Sequence, residues 1–115
     1  MDQLTEFEVQ VRSNLLQVKE SPDFIGERVW LTFYIDGADV TPISRALEAK
    51  GWQNVGNDPN SIYPKVQVTM AEAQIMEAVR EAQEVCEEYA AEIYAIDADT
   101  SPQVEVSHFI GLFRA

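Results

Sequence analysis

The sequence is poor in the residues that most often hold metals, form disulfides or carry catalysis. It contains one cysteine and one histidine, Cys86 and His108. A lone cysteine cannot form a disulfide within the chain, and the two side chains are too few for a zinc site. Asp97–Ser101 lacks the glycine and the final glutamate of a calcium loop, so we interpret it as a turn. We therefore predict a non-catalytic protein without a metal or cofactor.

Basic residues are also scarce. Eight Lys and Arg residues stand against 20 Asp and Glu residues, which gives a formal net charge of -12. Nucleic acids and anionic membranes both require clustered positive charge, so the composition argues against both as partners. A basic protein would instead be attracted to such a surface. The same charge could also serve solubility alone.

Long apolar runs are absent as well. No segment approaches the roughly 18 apolar residues of a membrane-spanning helix, and the first residues lack the basic start and apolar centre of a signal peptide. The length of 115 residues suits one domain, and 46 % hydrophobic residues suffice for a packed core. We expect a single cytoplasmic domain over residues 1–115.

Apolar spacing predicts a mixture of helices and strands. Residues 28–35 place alternate apolar side chains on one face and Trp30, Thr32 and Tyr34 on the other, as in a half-buried strand. Residues 3–19 favour a helix, although a strand over residues 7–11 fits part of the pattern. Further strands are predicted at 52–55, 63–69, 92–97 and 104–113.

Two helices between these strands have recognisable ends. We predict that Thr41 caps the first helix, with Pro42 in its first turn and Gly51 just beyond its last. The second is predicted to begin at a Thr69–Glu72 capping box and to run to about Tyr89. From residue 28 the order is β-α-β-β-α-β, with an N-terminal segment before it and an extra C-terminal strand after it. This ferredoxin-like α+β order forms an antiparallel sheet with both helices on one face.

The other face of that sheet is the first candidate site. Aromatic side chains on an open face bury much area at little entropic cost. If the strand at 63–69 pairs with the strand at 28–35, the partner-binding candidates on this face are Trp30, Thr32, Tyr34 and Gln67. The alternative is that the N-terminal segment or the last strand covers this face.

The second candidate site is a stripe of acidic residues on the last predicted helix. Its apolar side carries Ile75, Val79, Ala82 and Cys86, and its opposite side carries Glu77, Glu81, Glu84 and Glu88. Such a stripe is typical of a solvated helix face. Its repulsion, offset locally by Arg80 alone, would also be relieved by a basic partner.

Several short motifs recur in a known family. They are the alternating strand at 28–35, the helix end Ala49-Lys50-Gly51-Trp52, a Val-rich strand, and a long helix that leads into Ile93-Tyr94. Over roughly residues 28–97 the chain thereby resembles the ribonuclease E inhibitor B family of small acidic regulators. The run Tyr94-Ala95-Ile96-Asp97 departs from the Tyr-Asp-Gly-Trp of that family. The resemblance implies a ferredoxin-like fold and inhibition of a nuclease.

Three functions are therefore open. The leading hypothesis is a non-catalytic acidic regulator or inhibitor that binds a basic protein, with an immunity protein as a close variant. The second is a self-assembling module in which the apolar strand Val104–Phe113 pairs across a homodimer edge. The third is a ferredoxin-like domain, binding or enzymatic, with a small-ligand pocket between sheet and helices.

Overall fold

The computed structural model of the protein describes residues 3–20, 28–53, 60–99 and 109–114. The elements in these ranges are α1 (Gln3–Glu20), β1 (Arg28–Asp36), α2 (Thr41–Ala49), β2 (Ser61–Ile62), β3 (Lys65–Thr69), α3 (Glu72–Glu88), β4 (Glu92–Asp99) and β5 (Phe109–Arg114). The mixed α+β class is confirmed, and residues 3–19 are helical as their spacing predicted. None of the described helices is long and apolar enough to cross a membrane.

The strands form one open antiparallel sheet with β1 at its centre. On one side β1 pairs with β4, and β5 pairs with the far side of β4. On its other side, the first half of β1 pairs with β3 and its last two residues pair with β2. The register places Trp30 opposite Gln67, which confirms the expected pairing of these two strands.

The hydrophobic core lies between the helices and one face of the sheet. Strict alternation in β1 sends every second side chain into it: Val29, Leu31, Phe33 and Ile35. The helices contribute Val11, Leu15 and Val18 from α1, Ile43 and Leu47 from α2, and Ile75, Val79, Ala82 and Cys86 from α3. Each Å² of apolar surface removed from water contributes about 25 cal/mol, so this burial holds the helices on that face.

Both predicted N-terminal helix caps are wrong. Helix α2 already includes Thr41, and it is the Asp39 carboxylate that accepts a hydrogen bond from the Thr41 backbone N–H at 3.0 Å. Helix α3 begins at Glu72 without a side-chain hydrogen bond at its cap. Thr69 lies too early to cap it, because Thr69 is still paired within β3. The sheet therefore decides where the first turn of α3 starts.

The end of α2 explains why Trp52, the first residue of the strand predicted at 52–55, lies outside the sheet. Gly51 has a φ of 93°, the left-handed conformation predicted for it. The Trp52 N–H then donates to the Leu47 carbonyl at 3.0 Å, so Trp52 closes the helix and does not enter the sheet. Gln53 reaches β3 and exchanges backbone hydrogen bonds with Lys65 at 2.8 and 2.7 Å. Residues 54 and 55 lie outside the described ranges.

Helix α1 lies along the outer edge of β5. The Asn14 side-chain amide donates to the Leu112 carbonyl at 2.9 Å, and the Gln10 side-chain oxygen accepts from the Arg114 N–H at 2.8 Å. Backbone groups at a sheet edge are otherwise available to another strand. Residues 104–108 of the strand predicted at 104–113 lie outside the described ranges, and β5 extends to Arg114.

Candidate functional site

The sheet face opposite the core carries the aromatic residues that were predicted there. Among the described residues the helices pack on the other face, so side chains of the strands and of the short β2–β3 connection form this one. Trp30 and Tyr34 are half-buried, whereas Thr32 between them is 4 % exposed. Gln67 is exposed beside Trp30. Helix α1 does not cover this face, and the binding role of these residues stays a prediction.

Three tyrosines cluster on this face. The centroid of the Tyr34 ring lies 5.4 Å from that of Tyr63 and 5.9 Å from that of Tyr94, in edge-on or tilted orientations. Such aromatic pairs add about 0.5–1.5 kcal/mol beyond their burial, so the cluster is held in place before any partner binds. We call the surface formed by Trp30, Thr32 and these tyrosines the aromatic face.

An ion pair between a buried carboxylate and an exposed guanidinium adjoins the tyrosine cluster. Asp97 is 4 % exposed, and its Oδ1 lies 3.0 Å from Nη2 of Arg114. The guanidinium of Arg114 also lies 5.9 Å from the centroid of the Tyr34 ring, a distance suited to a cation–π interaction. Burial, and then a hydrogen bond to Asp97, raises the pKa of Tyr34 to about 12. The raised pKa keeps the Tyr34 hydroxyl protonated into more alkaline solution than an ordinary tyrosine.

Four residues at this site were not predicted from the sequence: Tyr63, Tyr94, Asp97 and Arg114. Tyr63 is in phase with Gln67, so period-two alternation could have found it. Tyr94 could not be found, because an irregularity in the β1–β4 register brings it to the same face as Asp97. Asp97 and Arg114 lie in different strands, β4 and β5, which only the fold brings together. Because β4 extends to Asp99, the turn predicted over Asp97–Ser101 is wrong for residues 97–99.

The glutamate stripe lies on the solvent side of α3, away from the sheet. Its members are Glu77, Glu81, Glu84 and Glu88. Glu81 is half-buried and lies 3.7 Å from the Lys50 ammonium group. Arg80 does not offset the stripe as expected, because its guanidinium binds Glu8 of α1 at 2.9 Å. The stripe therefore belongs to a helix that packs on the core face of the sheet, and it is not part of the aromatic face.

The outer edge of β3 is where the described structure brings members of the two predicted surfaces together. An open groove of about 450 Å³ lies there, with β3 on one side and α3 on the other. Gln67 lines it from the sheet, and Glu77 and Glu81 line it from the helix. Lys50 and Trp52 close the end nearest α2. We call this feature the β3-edge groove.

The catalytic candidates form no reaction centre in the described part of the chain. Burial, with the charge of Glu87 as a second cause, raises the pKa of the Cys86 thiol to about 12, so the thiol stays protonated and unreactive. His108 lies outside the described ranges. Within them, no group of three or more His, Cys, Asp and Glu side chains is placed to hold a metal ion.

Comparison with known proteins assigns no family. No family model, curated protein or solved structure matches the chain. The resemblance to the ribonuclease E inhibitor B family stays a prediction, and function has to be inferred from the geometry of the residues.

Proposed function

We propose that the protein is a non-catalytic binding domain that regulates or inhibits a basic partner protein. The observation that carries the proposal is the aromatic face, where Trp30 shares one side of the sheet with a packed tyrosine cluster, on a protein of net charge -12. Aromatic side chains that are already held in place lose little entropy when they bind. The negative charge of the whole domain accelerates its encounter with a basic protein.

We further infer that the fold is ferredoxin-like. If the Gln53 bridge is the remnant of a strand, the order across the sheet is Gln53, β3, β1 and β4. Two interleaved β-α-β units produce this order, and α1 and β5 are additions to it. The family resemblance implies the same fold and makes a nuclease the first partner class to test. The free thiol of Cys86 fits a reducing compartment, so we place the domain in the cytoplasm.

The other two hypotheses have less support. A homodimer through β5 would have to displace the side chains of Gln10 and Asn14 from the edge of that strand. A small ligand would need an enclosed apolar site, whereas the depression of about 540 Å³ between Asp36 and Glu92 is open and partly polar. Both stay untested predictions.

The test is capture of partners by tagged protein at low and high salt, followed by titration of each purified partner. The variant Trp30→Ala with Tyr34→Ala removes two side chains from the aromatic face. Val9→Ala with Leu16→Ala is the matched control, since these residues are 60 % and 58 % exposed on α1. We expect at least about a tenfold rise in Kd for the first variant and none for the control.

Added salt should weaken the wild-type complex, because it screens the attraction between oppositely charged surfaces. Circular dichroism verifies that both variants fold. Equal binding by the two variants, or wild-type protein that captures no partner even at low salt, would contradict the proposal.

A further inference from the structure

The outer edge of strand β3, the side away from β1, pairs with another described residue at Lys65 alone, where Gln53 bonds to it. In an antiparallel sheet, every second residue directs both of its backbone groups to the same side of the strand. The hydrogen bonds between Lys65 and Gln53 show that Lys65, Gln67 and Thr69 face outward. The Thr69 carbonyl accepts from the Ala71 N–H at 2.7 Å. Gln67 is left as the next residue of the edge, and no described segment pairs with its outer side.

The described residues leave space beside Gln67. If the bridge between Gln53 and Lys65 continued as a ladder, Gln67 would face Gly51, but Gly51 belongs to the turn that closes α2. A Cβ atom added to Gly51 would meet no atom within 4 Å. The β3-edge groove of about 450 Å³ opens at this point. A short extended segment therefore has room to lie beside β3.

The helix side of the groove is acidic. The charge of Glu81 is offset by Lys50 at 3.7 Å. On the sheet side, Arg28 donates to the Gln67 side-chain oxygen at 3.5 Å. Glu77 is exposed and forms no ion pair with another described residue. Arg28 and Lys50 line the same groove, but neither pairs with Glu77. A basic side chain on an incoming segment would therefore find at Glu77 a carboxylate that no described cation binds.

We propose that an extended, basic segment of a partner protein adds to β3 as a further strand, with its Lys or Arg side chains along Glu77. Backbone hydrogen bonds to Gln67 supply affinity, and alternate side chains supply selectivity, as in other complexes formed by strand addition. Trp30 lies opposite Gln67 on β1, so the same partner reaches the aromatic face. This inference rests on the proposed function and specifies how the partner is recognised.

The first test compares two peptides by nuclear magnetic resonance with isotope-labelled wild-type protein. The probe is a short peptide of alternating lysine and valine, and the control is the same sequence N-methylated at every residue. The control keeps the charge but cannot form the ladder. We expect the probe alone to shift the backbone amide resonances of Gln67 and Thr69. An equal response to both peptides, or a response centred on Glu84 and Glu88, would overturn the proposal.

The second test changes the edge of the protein. Gln67→Pro removes the outward N–H and keeps the pairing with β1, because edge strands tolerate proline where the N–H faces outward. Gln67→Ala keeps the N–H and removes most of the side chain. We expect about tenfold weaker binding of the probe for Gln67→Pro and less than about a twofold change for Gln67→Ala. Unchanged binding by a folded Gln67→Pro protein would overturn the proposal. If that variant does not fold, the two peptides decide the question on wild type.

The third test separates the groove from the net charge. Glu77→Lys and Glu84→Lys change the total charge of α3 equally, but Glu77 lines the groove and Glu84 does not. We expect Glu77→Lys alone to weaken probe binding, by about tenfold. Equal weakening in both variants would show general electrostatic attraction and would remove the groove as a site.

The results can refute strand addition and the proposed function separately. If a captured partner requires Trp30 and Tyr34 but binds Gln67→Pro as tightly as wild type, strand addition is wrong and the regulator hypothesis stands. If the probe binds the edge while wild type captures no partner, the edge site stands and the regulator hypothesis is wrong.

Discussion

The two edges of the sheet are finished in different ways. At β5, helix α1 lies against the edge, and the side chains of Gln10 and Asn14 bind backbone groups of the strand. At β3, Gln53 pairs with Lys65, and the edge beyond it meets no described segment. An unpaired edge is a place where another chain can add. Among the described residues, the protein therefore covers one edge with its own helix, whereas the other edge pairs only at Lys65.

The largest predicted change in stability comes from Leu15, the buried side chain that holds α1 beside β5. Leu15 is 1 % exposed, whereas its neighbour Leu16 is 58 % exposed. Leu15→Ala should lower the free energy of unfolding by about 3 kcal/mol, because it removes buried contacts and leaves a cavity. Leu16→Ala should change it by less than about 0.5 kcal/mol. Urea denaturation measures both, and equal values would mean that α1 does not pack through Leu15.

The second prediction breaks the cover of β5 directly. Gln10→Ala with Asn14→Ala removes two hydrogen bonds to the strand edge and should cost about 2 kcal/mol. Sedimentation should then show dimers at raised concentration, because the edge of β5 becomes available. The control, Ser13→Ala with Gln17→Ala, alters exposed residues of the same helix. A double variant that stays as stable and as monomeric as this control would show that α1 does not protect the edge.

The third prediction concerns the attachment of β5 to β4. Arg114→Ala leaves the buried carboxylate of Asp97 without its cation and should cost about 1 kcal/mol. The figure is modest because the Arg114 side chain is 58 % exposed. Arg12→Ala breaks an ion pair with Glu72 in which both side chains are about half exposed, and should cost less than about 0.5 kcal/mol. A second change, Asp97→Asn, should restore part of the stability lost in Arg114→Ala. Equal costs for the two arginine variants would show that the burial of the Asp97 carboxylate does not strengthen its pairing with Arg114.

The smallest predicted effect is a loss of folding stability at alkaline pH that depends on Tyr34. The pKa of Tyr34 rises from 10.0 to about 12 on folding, because burial and the bond to Asp97 disfavour its ionised form. This contribution to stability is fully present below pH 10 and is lost as the pH rises toward about 12. Tyr34→Phe should remove this part of the alkaline loss, whereas Tyr89→Phe, at an exposed position, should keep it. Denaturation across this pH range measures the difference, and parallel profiles for wild type and Tyr34→Phe would refute it.

Local periodicity made some of these features predictable. Side-chain direction in a strand depends only on the parity of the position, so residues 28–35 predict which side of β1 enters the core. The three- and four-residue spacing of Val11, Leu15 and Val18 predicts the buried side of α1 in the same way. The competing strand over residues 7–11 is wrong because Val9 lies within α1 and is 60 % exposed.

The candidate site was less predictable, because its members come together through strand pairing. Arg114 and Asp97 are 17 positions apart, and an irregularity in the β4–β5 register lies between the pairs they form. Tyr94 shares a face with Asp97 despite the opposite parity of its position, which a regular strand would forbid. The Thr69–Glu72 capping box matched a common local pattern, but pairing within β3 prevents it from forming.

By itself the sequence determined the α+β class, the acidic charge, and the polar and apolar sides of most elements. Composition and periodicity are local properties, and they survive any arrangement of the elements in space. Only the tertiary structure decided that α1 covers β5, that no described segment pairs with the edge of β3 beyond Lys65, and that Gln67 and Glu77 line one groove. These features depend on how elements far apart in the chain pack together, and the spacing of residues within one element carries no information about that packing.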